Sequence, residues 1–309
     1  MALQAELRSP TSEASVHFSF RWLAVAVASL LALAIWAPSG LYLIGFLGVI
    51  IVTHELGHLL AARRAGMVPT EFFWGFGPEV IAIQVGPCRY GLKALFLGGY
   101  VKLEGMTPTS TIPEDFDEAD TYRAATHRGR LATILAGPAV NLSMAVVAFA
   151  LAALLRGETL PSSVIAGFVD VWRVIAATGE ALWIWATNVG GYASALFDGS
   201  GNTEAPVRFL SPVGQADVSQ QAVDLGLATS LQWFAILSSA VGGINLLPLP
   251  PLDGSHAVVA GAEGLYQRLR SDKLVRFDVA RLVPLAYLTI GVLVMLSVSA
   301  LILDVRDLI

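Results

Sequence analysis

The sequence predicts an all-α polytopic membrane protein with about five transmembrane helices, and three observations carry that class. Only 14% of the 309 residues are charged while 55% are hydrophobic, against about 25% charged in an ordinary soluble domain. The hydrophobic residues gather into uncharged runs of the length that a ~30 Å hydrocarbon core demands of a helix. The basic residues crowd into alternate connections, as the positive-inside rule expects of a multi-pass chain. With a mean hydropathy of +0.66, too few charges remain to cover a water-soluble fold. A soluble enzyme and a disordered regulator are thereby excluded. A net charge of −5 with no basic stripe excludes a nucleic-acid binder. The single cysteine, Cys88, has no partner for an internal disulfide and leaves the redox compartment open.

The elements follow in order. The first run, Trp22–Thr53, would measure about 48 Å as one helix, well over the core thickness. Pro38-Ser39-Gly40 breaks it, so the expectation is a helical hairpin with arms near Phe18–Ala37 and Leu41–Ala62. A cleaved signal peptide is the competing reading of the first arm, and it leaves the later topology unchanged. Further runs are Leu131–Leu155, Leu225–Leu252 and Leu282–Leu303. A sixth, 181–197, is short and carries Asn188, Gly190 and Gly191; it either crosses or lies at the interface.

With five spans and the N-terminus inside, the inner side holds Arg8, Arg21, eight basic residues in 63–130 and five in 268–281, fifteen of the 19. The segment 105–130 reads as a solvated acidic inner loop. The outer segment 156–224 holds an apolar stretch, Val164–Phe197, and then a Gly/Asn/Pro-rich loop. The expected organisation is an N-terminal arm (1–40), a first membrane half (41–155), this outer segment with an interfacial helix, and a second membrane half (225–309).

The chemistry begins at His54-Glu55-Leu56-Gly57-His58. Histidines at i and i+4 share one helical face, one turn apart, and can both bind a Zn²⁺, with Glu55 beside them to take a proton from water. Ionisable groups inside a membrane helix are expensive and usually functional. From Leu41 to His54 is about 20 Å of helix, which sinks the site roughly a third of the way from the inner face. Catalytic zinc takes a third protein ligand and keeps a position open. The strongest candidate is Asp253, in Asn245-Leu246-Leu247-Pro248-Leu249-Pro250-Pro251-Leu252-Asp253-Gly254. Its prolines must break the helix, and irregular backbone at membrane depth is tolerated only when buried in protein or lining a wet cavity. His256 is a weaker rival ligand. His54 and Asp253 can share a metal only if both lie toward one face, which argues that 181–197 stays on the surface or re-enters. Gly57 leaves room for substrate or a neighbouring helix, and Gly137 and Asn141 form a small-and-polar face for helix contact.

At these residues the chain resembles the site-2 proteases, intramembrane zinc metalloproteases of regulated intramembrane proteolysis. It is most similar to the bacterial branch that includes the regulator of sigma-E protease. His54–His58 matches that family's HExxH and Asn245–Gly254 its NxxPxPxLDG. Gly75-Phe76-Gly77 and Gly98-Gly99-Tyr100-Val101-Lys102 resemble the branch's post-catalytic segment, and Gly137-Pro138-Ala139-Val140-Asn141 its following span. The resemblance implies one Zn²⁺ per chain on His54, His58 and Asp253, with Glu55 as general base and later proton donor. It implies that Asn245 orients substrate or polarises the scissile carbonyl. Substrate contacts would come from Gly98, Gly99, Tyr100, Asn245, Pro248 and Pro250. Residues 79–104 would form a membrane-associated β-hairpin. Their own sequence agrees: Val80–Val85 is β-rich, Gly86-Pro87 turns, and a second apolar stretch ends at Gly98-Gly99. An exposed edge strand would hold an unwound substrate by strand addition.

Two departures stand out. The interval Arg156–Asp224 is too short for the branch's PDZ domain with its flanking helix, and the first apolar arm has no counterpart in the branch's usual pattern. The implied partners are single-span membrane proteins such as anti-sigma factors or remnant signal peptides, in a bacterial inner membrane with the site toward the cytoplasm. Two rivals keep the same residues: a proteolytically silent membrane scaffold, and a metal-binding transporter, against which the absence of an internal repeat argues.

Overall fold

The computed structural model describes residues 16–106, 111–114, 116–191, 194, 209–269 and 277–306. Its elements in chain order are β1 (Val16–Phe18), α1 (Phe20–Trp36), α2 (Ser39–Arg64), β2 (Pro69–Val85), β3 (Cys88–Leu103), α3 (His127–Leu155), α4 (Leu160–Thr187), α5 (Pro212–Asp224), α6 (Leu227–Asn245), α7 (Asp253–Leu269) and α8 (Val283–Arg306). Five of these, α2, α3, α4, α6 and α8, are long and apolar enough to cross a membrane. The chain is a multi-pass, mainly helical membrane protein with a small sheet.

Five is the number expected from the uncharged runs, but the membership differs. The first arm is a helix of 17 residues, which rises only about 25 Å, less than the hydrocarbon core. Most of the apolar stretch of the outer segment lies in one continuous helix, α4, of 28 residues. It starts well before residue 181 and ends at its Asn188 cap, so 181–187 is the last part of a longer helix, and the run's end, 195–197, lies outside the described residues. An interfacial helix is expected in this segment, and charge at Asp170 and Arg173 hid its full length in the sequence. Three residues apart on the helix, the two pair at 2.9 Å and largely cancel. The Gly/Asn/Pro-rich stretch of 198–208 and residues 107–110 of the acidic loop lie outside the described residues. Within that loop Glu118–Asp120 forms a short 3₁₀ turn, with the Asp117 carboxylate accepting from the Ala119 N–H at 2.9 Å.

The fourth run also ends earlier than its composition suggests. Helix α6 stops at Asn245, because Pro248, Pro250 and Pro251 cannot donate to a helical ladder. Residues 246–252 form a chain of tight turns, with Leu249 N–H on the Leu247 carbonyl and Leu252 N–H on the Leu249 carbonyl. The Pro250–Pro251 peptide is cis. Asp253 therefore opens helix α7 instead of closing a span, which places its carboxylate at a helix N-terminus, the favourable end for a negative charge.

The hairpin is longer than 79–104, and each of its strands is used twice. Phe72 faces both Tyr90 and Val101, and Phe73 faces both Gly91 and Tyr100, so 71–74 lies between two segments of β3. On the other side, Ile81–Gln84 pairs with Arg89–Leu92, and β1 pairs with Ile81–Ile83. The sheet thus runs from β1 through 81–84, 89–92 and 71–74 to 99–102. The fold in β2 falls at Gly75, where φ is +93° and a Cβ would meet the Leu95 carbonyl at 2.7 Å. Only glycine takes that backbone at that spacing without strain. Strand β1 carried no signal in the apolar runs, since three residues are too few for a period.

Two compact units make up the chain. The first comprises 1–33, 47–141 and 245–285. Its apolar cluster of Ala62, Met67, Leu103, Tyr122 and Ile134 joins the end of α2 to the sheet and α3. The second comprises 34–46, 142–244 and 286–309. It packs α3, α4 and α6 through Ala145, Ala148, Phe149, Val171 and Ala235, small residues that let helix backbones approach closely.

Candidate metal centre

One turn of α2 sets His54 and His58 on the same face, and Asp253 at the start of α7 completes the group. His54 Nε2 lies 3.1 Å and His58 Nε2 3.3 Å from Asp253 Oδ2, and the two Nε2 atoms lie 3.1 Å apart. With metal–donor bonds of about 2.0–2.1 Å, a tetrahedral shell has edges of about 3.3–3.4 Å. The three donors therefore stand nearly as far apart as the corners of one face of such a shell. Among the described residues they form the group of His, Cys, Asp and Glu side chains able to hold a metal ion.

The partners behind the rings set the tautomers. His58 Nδ1 donates to the Thr133 carbonyl at 2.8 Å. A carbonyl can only accept, so the proton sits on Nδ1 and the Nε2 lone pair faces the group. The Asn141 amide lies 3.1 Å from His54 Nδ1. The amide nitrogen, Nδ2, is the atom that faces the ring; turned end for end, the amide would present its oxygen to the Nδ1 proton and leave the second Nε2 lone pair available. Both partners belong to α3, and Asn141 is fully buried.

Two glycines make room for this arrangement. A Cβ at Gly137 would collide with His58 Nε2 and stand 2.7 Å from His54 Nε2, so bare α3 backbone walls the donor group. At Gly57 a Cβ would meet the Ala136 carbonyl at 2.8 Å; the neighbour that Gly57 admits is α3. Neither Gly137 nor Asn141 stood out in the sequence as more than a packing face, because the i, i+4 pattern of a small and a polar residue reads alike in both roles. Thr133 acts through its carbonyl, which no side-chain pattern reveals.

Gly254 explains how the proline segment seats Asp253. A Cβ there would overlap the Leu246 and Leu247 carbonyls, so the turns of 246–252 fold directly onto the first residues of α7. Ser255 fastens them, its hydroxyl donating to the Leu252 carbonyl at 2.8 Å. Asn245 is half-buried at the end of α6, Pro248 is exposed and Pro250 is buried. His256 stands outside the donor group. It lines a cavity of about 760 Å³ together with Tyr122, Arg123, His127, Arg130 and Glu263.

The sheet reaches the site through β3. Gly99 sits where a Cβ would meet Glu55 Cγ and Ile51 Cγ2, both at 3.0 Å, and the Val101 N–H donates to the Glu55 carboxylate. Gly98 lies under the Phe76 ring. Tyr100 offers backbone only, since its hydroxyl donates to the Glu71 carboxylate and accepts from Lys93 Nζ at 2.8 Å. Burial, reinforced by the Glu71 carboxylate, pushes the Tyr100 phenol well above its ordinary range. Beside it the Glu104 carboxylate, 3.0 Å from Lys102 Nζ, holds that ammonium above the usual lysine range.

Two histidines and a carboxylate with a glutamate alongside, set inside a multi-pass helical protein, define the class of membrane metalloproteins with a hydrolytic donor set. Residues 42–289 match peptidase family M50, and the chain belongs to that family. It is similar to zinc metalloprotease Rip1 of Mycobacterium tuberculosis, with 38% identity over 107 residues, 35% of this chain and 26% of that protein. A Mesorhizobium japonicum protein named as a zinc metalloprotease, mll0638, is 26% identical over 329 residues, 74% of this chain and 89% of its own length. A Clostridium acetobutylicum protein of the same designation, CA_C1796, is 36% identical over 115 residues, 37% of this chain and 32% of that protein. The matched part thus spans about a quarter of Rip1 and nearly all of the Mesorhizobium relative.

Proposed function

We propose that this protein is an intramembrane zinc metalloprotease that hydrolyses peptide bonds in or near the transmembrane segments of single-span membrane proteins. The observation that carries the reading is the convergence of three donors, 199 residues apart at the extremes, beside a glutamate that can serve as a base. His54, His58 and Asp253 would hold the ion, and their nitrogen and carboxylate donors suit zinc. Bound there, zinc would supply Lewis acidity for water and for the scissile carbonyl. Glu55 takes a proton from the attacking water and returns it to the leaving amine. Asn245, at the end of α6, orients the substrate carbonyl.

Substrate joins the sheet at 99–102. Among the described residues that segment pairs on one side with 71–74, and it runs past Glu55 at Gly99 and Val101. An extended segment added there would bring its peptide bonds to the glutamate by main-chain hydrogen bonds alone, which would ask little of its side chains. Charge distribution supports a site toward the cytoplasmic face of a bacterial inner membrane. Depth supports the same topology. Because α2 and the α6–α7 junction meet at one metal, an even number of crossings must separate α3 from α6. Helix α4 then stays in the interface unless the chain crosses back before α6, although its length alone would let it cross.

The test is Glu55→Gln, co-expressed with a tagged single-span substrate in native membranes. Cleavage falls by at least the roughly 10²–10⁴-fold attributed to general acid–base groups, while zinc content stays at one per chain. A chelator stops the wild type and added zinc restores it. Undiminished cleavage by the Gln variant would reject the protease reading in favour of a silent scaffold. Substrates trapped on the variant would identify which single-span proteins are processed in regulated intramembrane proteolysis.

A further inference from the structure

We propose that the buried Arg130–Glu263 ion pair positions the metal ligands, by locking the register of α7, which begins at Asp253, against α3, which orients both histidines. This rests on the reading of His54, His58 and Asp253 as ligands and adds two residues outside that group. Arg130 Nη1 stands 2.7 Å from Glu263 Oε2, and the two side chains are 4% and 3% exposed. The carboxylate's other oxygen accepts the Phe277 N–H at 2.8 Å. Arg130 Nη2 donates to His127 Nδ1 at 2.6 Å, His127 Nε2 bonds Gln267 Oε1, and the guanidinium lies 5.6 Å over the Tyr122 ring. Helices α3 and α7 are therefore cross-linked twice, at 127–267 and at 130–263.

Both helices lead from these links to the metal centre. On α3, Arg130 is followed at intervals of three and four residues by Thr133, Gly137 and Asn141, the residues that orient or wall the two imidazoles. On α7, Asp253 precedes Glu263 by ten residues, about 15 Å of rigid helix. Any slide or rotation of α7 on α3 therefore moves the Asp253 oxygen relative to His58. Apolar contacts tolerate such a slide, since one alanine or valine replaces another at small cost. A buried charge pair does not, because a shift leaves an unpaired charge out of water, and specifying register is the best-attested use of such pairs. The pair is thus a positioning device that acts through Asp253 and Thr133.

The experiment measures metal affinity by chelator competition and the visible spectrum of the cobalt-substituted protein, with helix content followed by circular dichroism. Purified full-length wild type is compared with Glu263→Gln, Arg130→Lys, the charge swap R130E/E263R, and His58→Ala as the ligand reference. Glu263→Gln keeps its helix content, loses about 10–100-fold in metal affinity, the range for residues that orient ligands, and shifts the cobalt bands. The charge swap recovers most of that affinity. A folded Glu263→Gln protein with wild-type affinity and bands overturns the inference, provided that His58→Ala has lost the metal. If His58→Ala keeps it, the ligand assignment itself has failed. Should Glu263→Gln not accumulate, Arg130→Lys decides by the same two readouts, because it retains the charge and loses only the guanidinium fork.

Discussion

The two units bury different chemistry. Among the described residues, the buried polar side chains of the second unit are all hydroxyls: Ser163, Ser211, Ser219, Ser238, Ser239, Thr289 and Ser299. The first unit buries His54, Glu104, Arg130, Asn141 and Glu263 as well as Thr121, Thr133 and Ser255. A hydroxyl in an apolar helix can bond a carbonyl of its own preceding turn, as Ser299 does to Leu296 at 2.9 Å, and then needs no partner elsewhere; Ser219, bonded to Gln215 at 2.7 Å, also accepts from Trp233 Nε1 at 2.8 Å. An imidazole, amide, guanidinium or carboxylate needs partners on other elements. The first unit therefore buries groups that demand polar pairing between elements, whereas the apolar cluster of the second packs by the fit of small residues. Helix α3 passes through both regimes. Its first half carries Arg130, Thr133, Gly137 and Asn141, and its second half carries Ala145, Ala148, Phe149 and Ala152.

Breaking the polar half should abolish the centre, and the largest effect is expected at Gly137. Gly137→Val puts a side chain among the imidazole nitrogens. Zinc retention should fall beyond the ~100-fold typical of lost ligand-orienting groups, and substrate cleavage should drop to background. Zinc analysis of purified protein reads the first and the co-expression assay the second; normal metal content would refute the wall. Next comes Asn141→Ala, which removes the amide behind His54. Its metal affinity should weaken about 10–100-fold with little loss of helix, while Asn141→Asp, which keeps an acceptor, should recover part of it. If alanine is silent, His54 takes its tautomer from elsewhere.

The apolar half should respond in stability and not in metal. Ala148→Leu overfills the contact among α3, α4 and α6 and should cost about 1–3 kcal/mol in detergent unfolding. Its zinc content should remain that of the wild type. Loss of zinc there would erase the distinction between the halves. The smallest effect is expected for Ser299→Ala, whose hydroxyl bonds within its own helix; a change within roughly 0.5 kcal/mol is expected. A larger one would mean that Ser299 pairs between elements after all.

Local chemistry made most of the spans and two of the three donors legible. His54, Glu55 and His58 fall within one turn, where sequence spacing is spatial spacing, and the prolines of 248–251 announce a broken helix wherever it packs. The β-rich run and its Gly86-Pro87 turn likewise mark a hairpin, though neither its start at Pro69 nor its double use of each strand. A helix is expected in the outer segment, but the span-like length of α4 was hidden by Asp170 and Arg173, which look polar in a row of letters and pair on a helix surface. What remained out of reach depends on contacts between distant elements. Asp253 was a candidate by depth, and only the fold sets its oxygen 3.1 Å from His54.

By itself, then, the sequence determined the solvent of this protein and the residue types able to bind a metal, since apolar length and helical spacing are properties of a single segment. Tertiary structure decided which polar residues serve that centre. Thr133 contributes a carbonyl, Gly137 an absence of side chain, Asn141 an amide and Arg130 a charge held by Glu263. Each acts by what faces it across another helix, and in a membrane that facing group is the only alternative to an unsatisfied one.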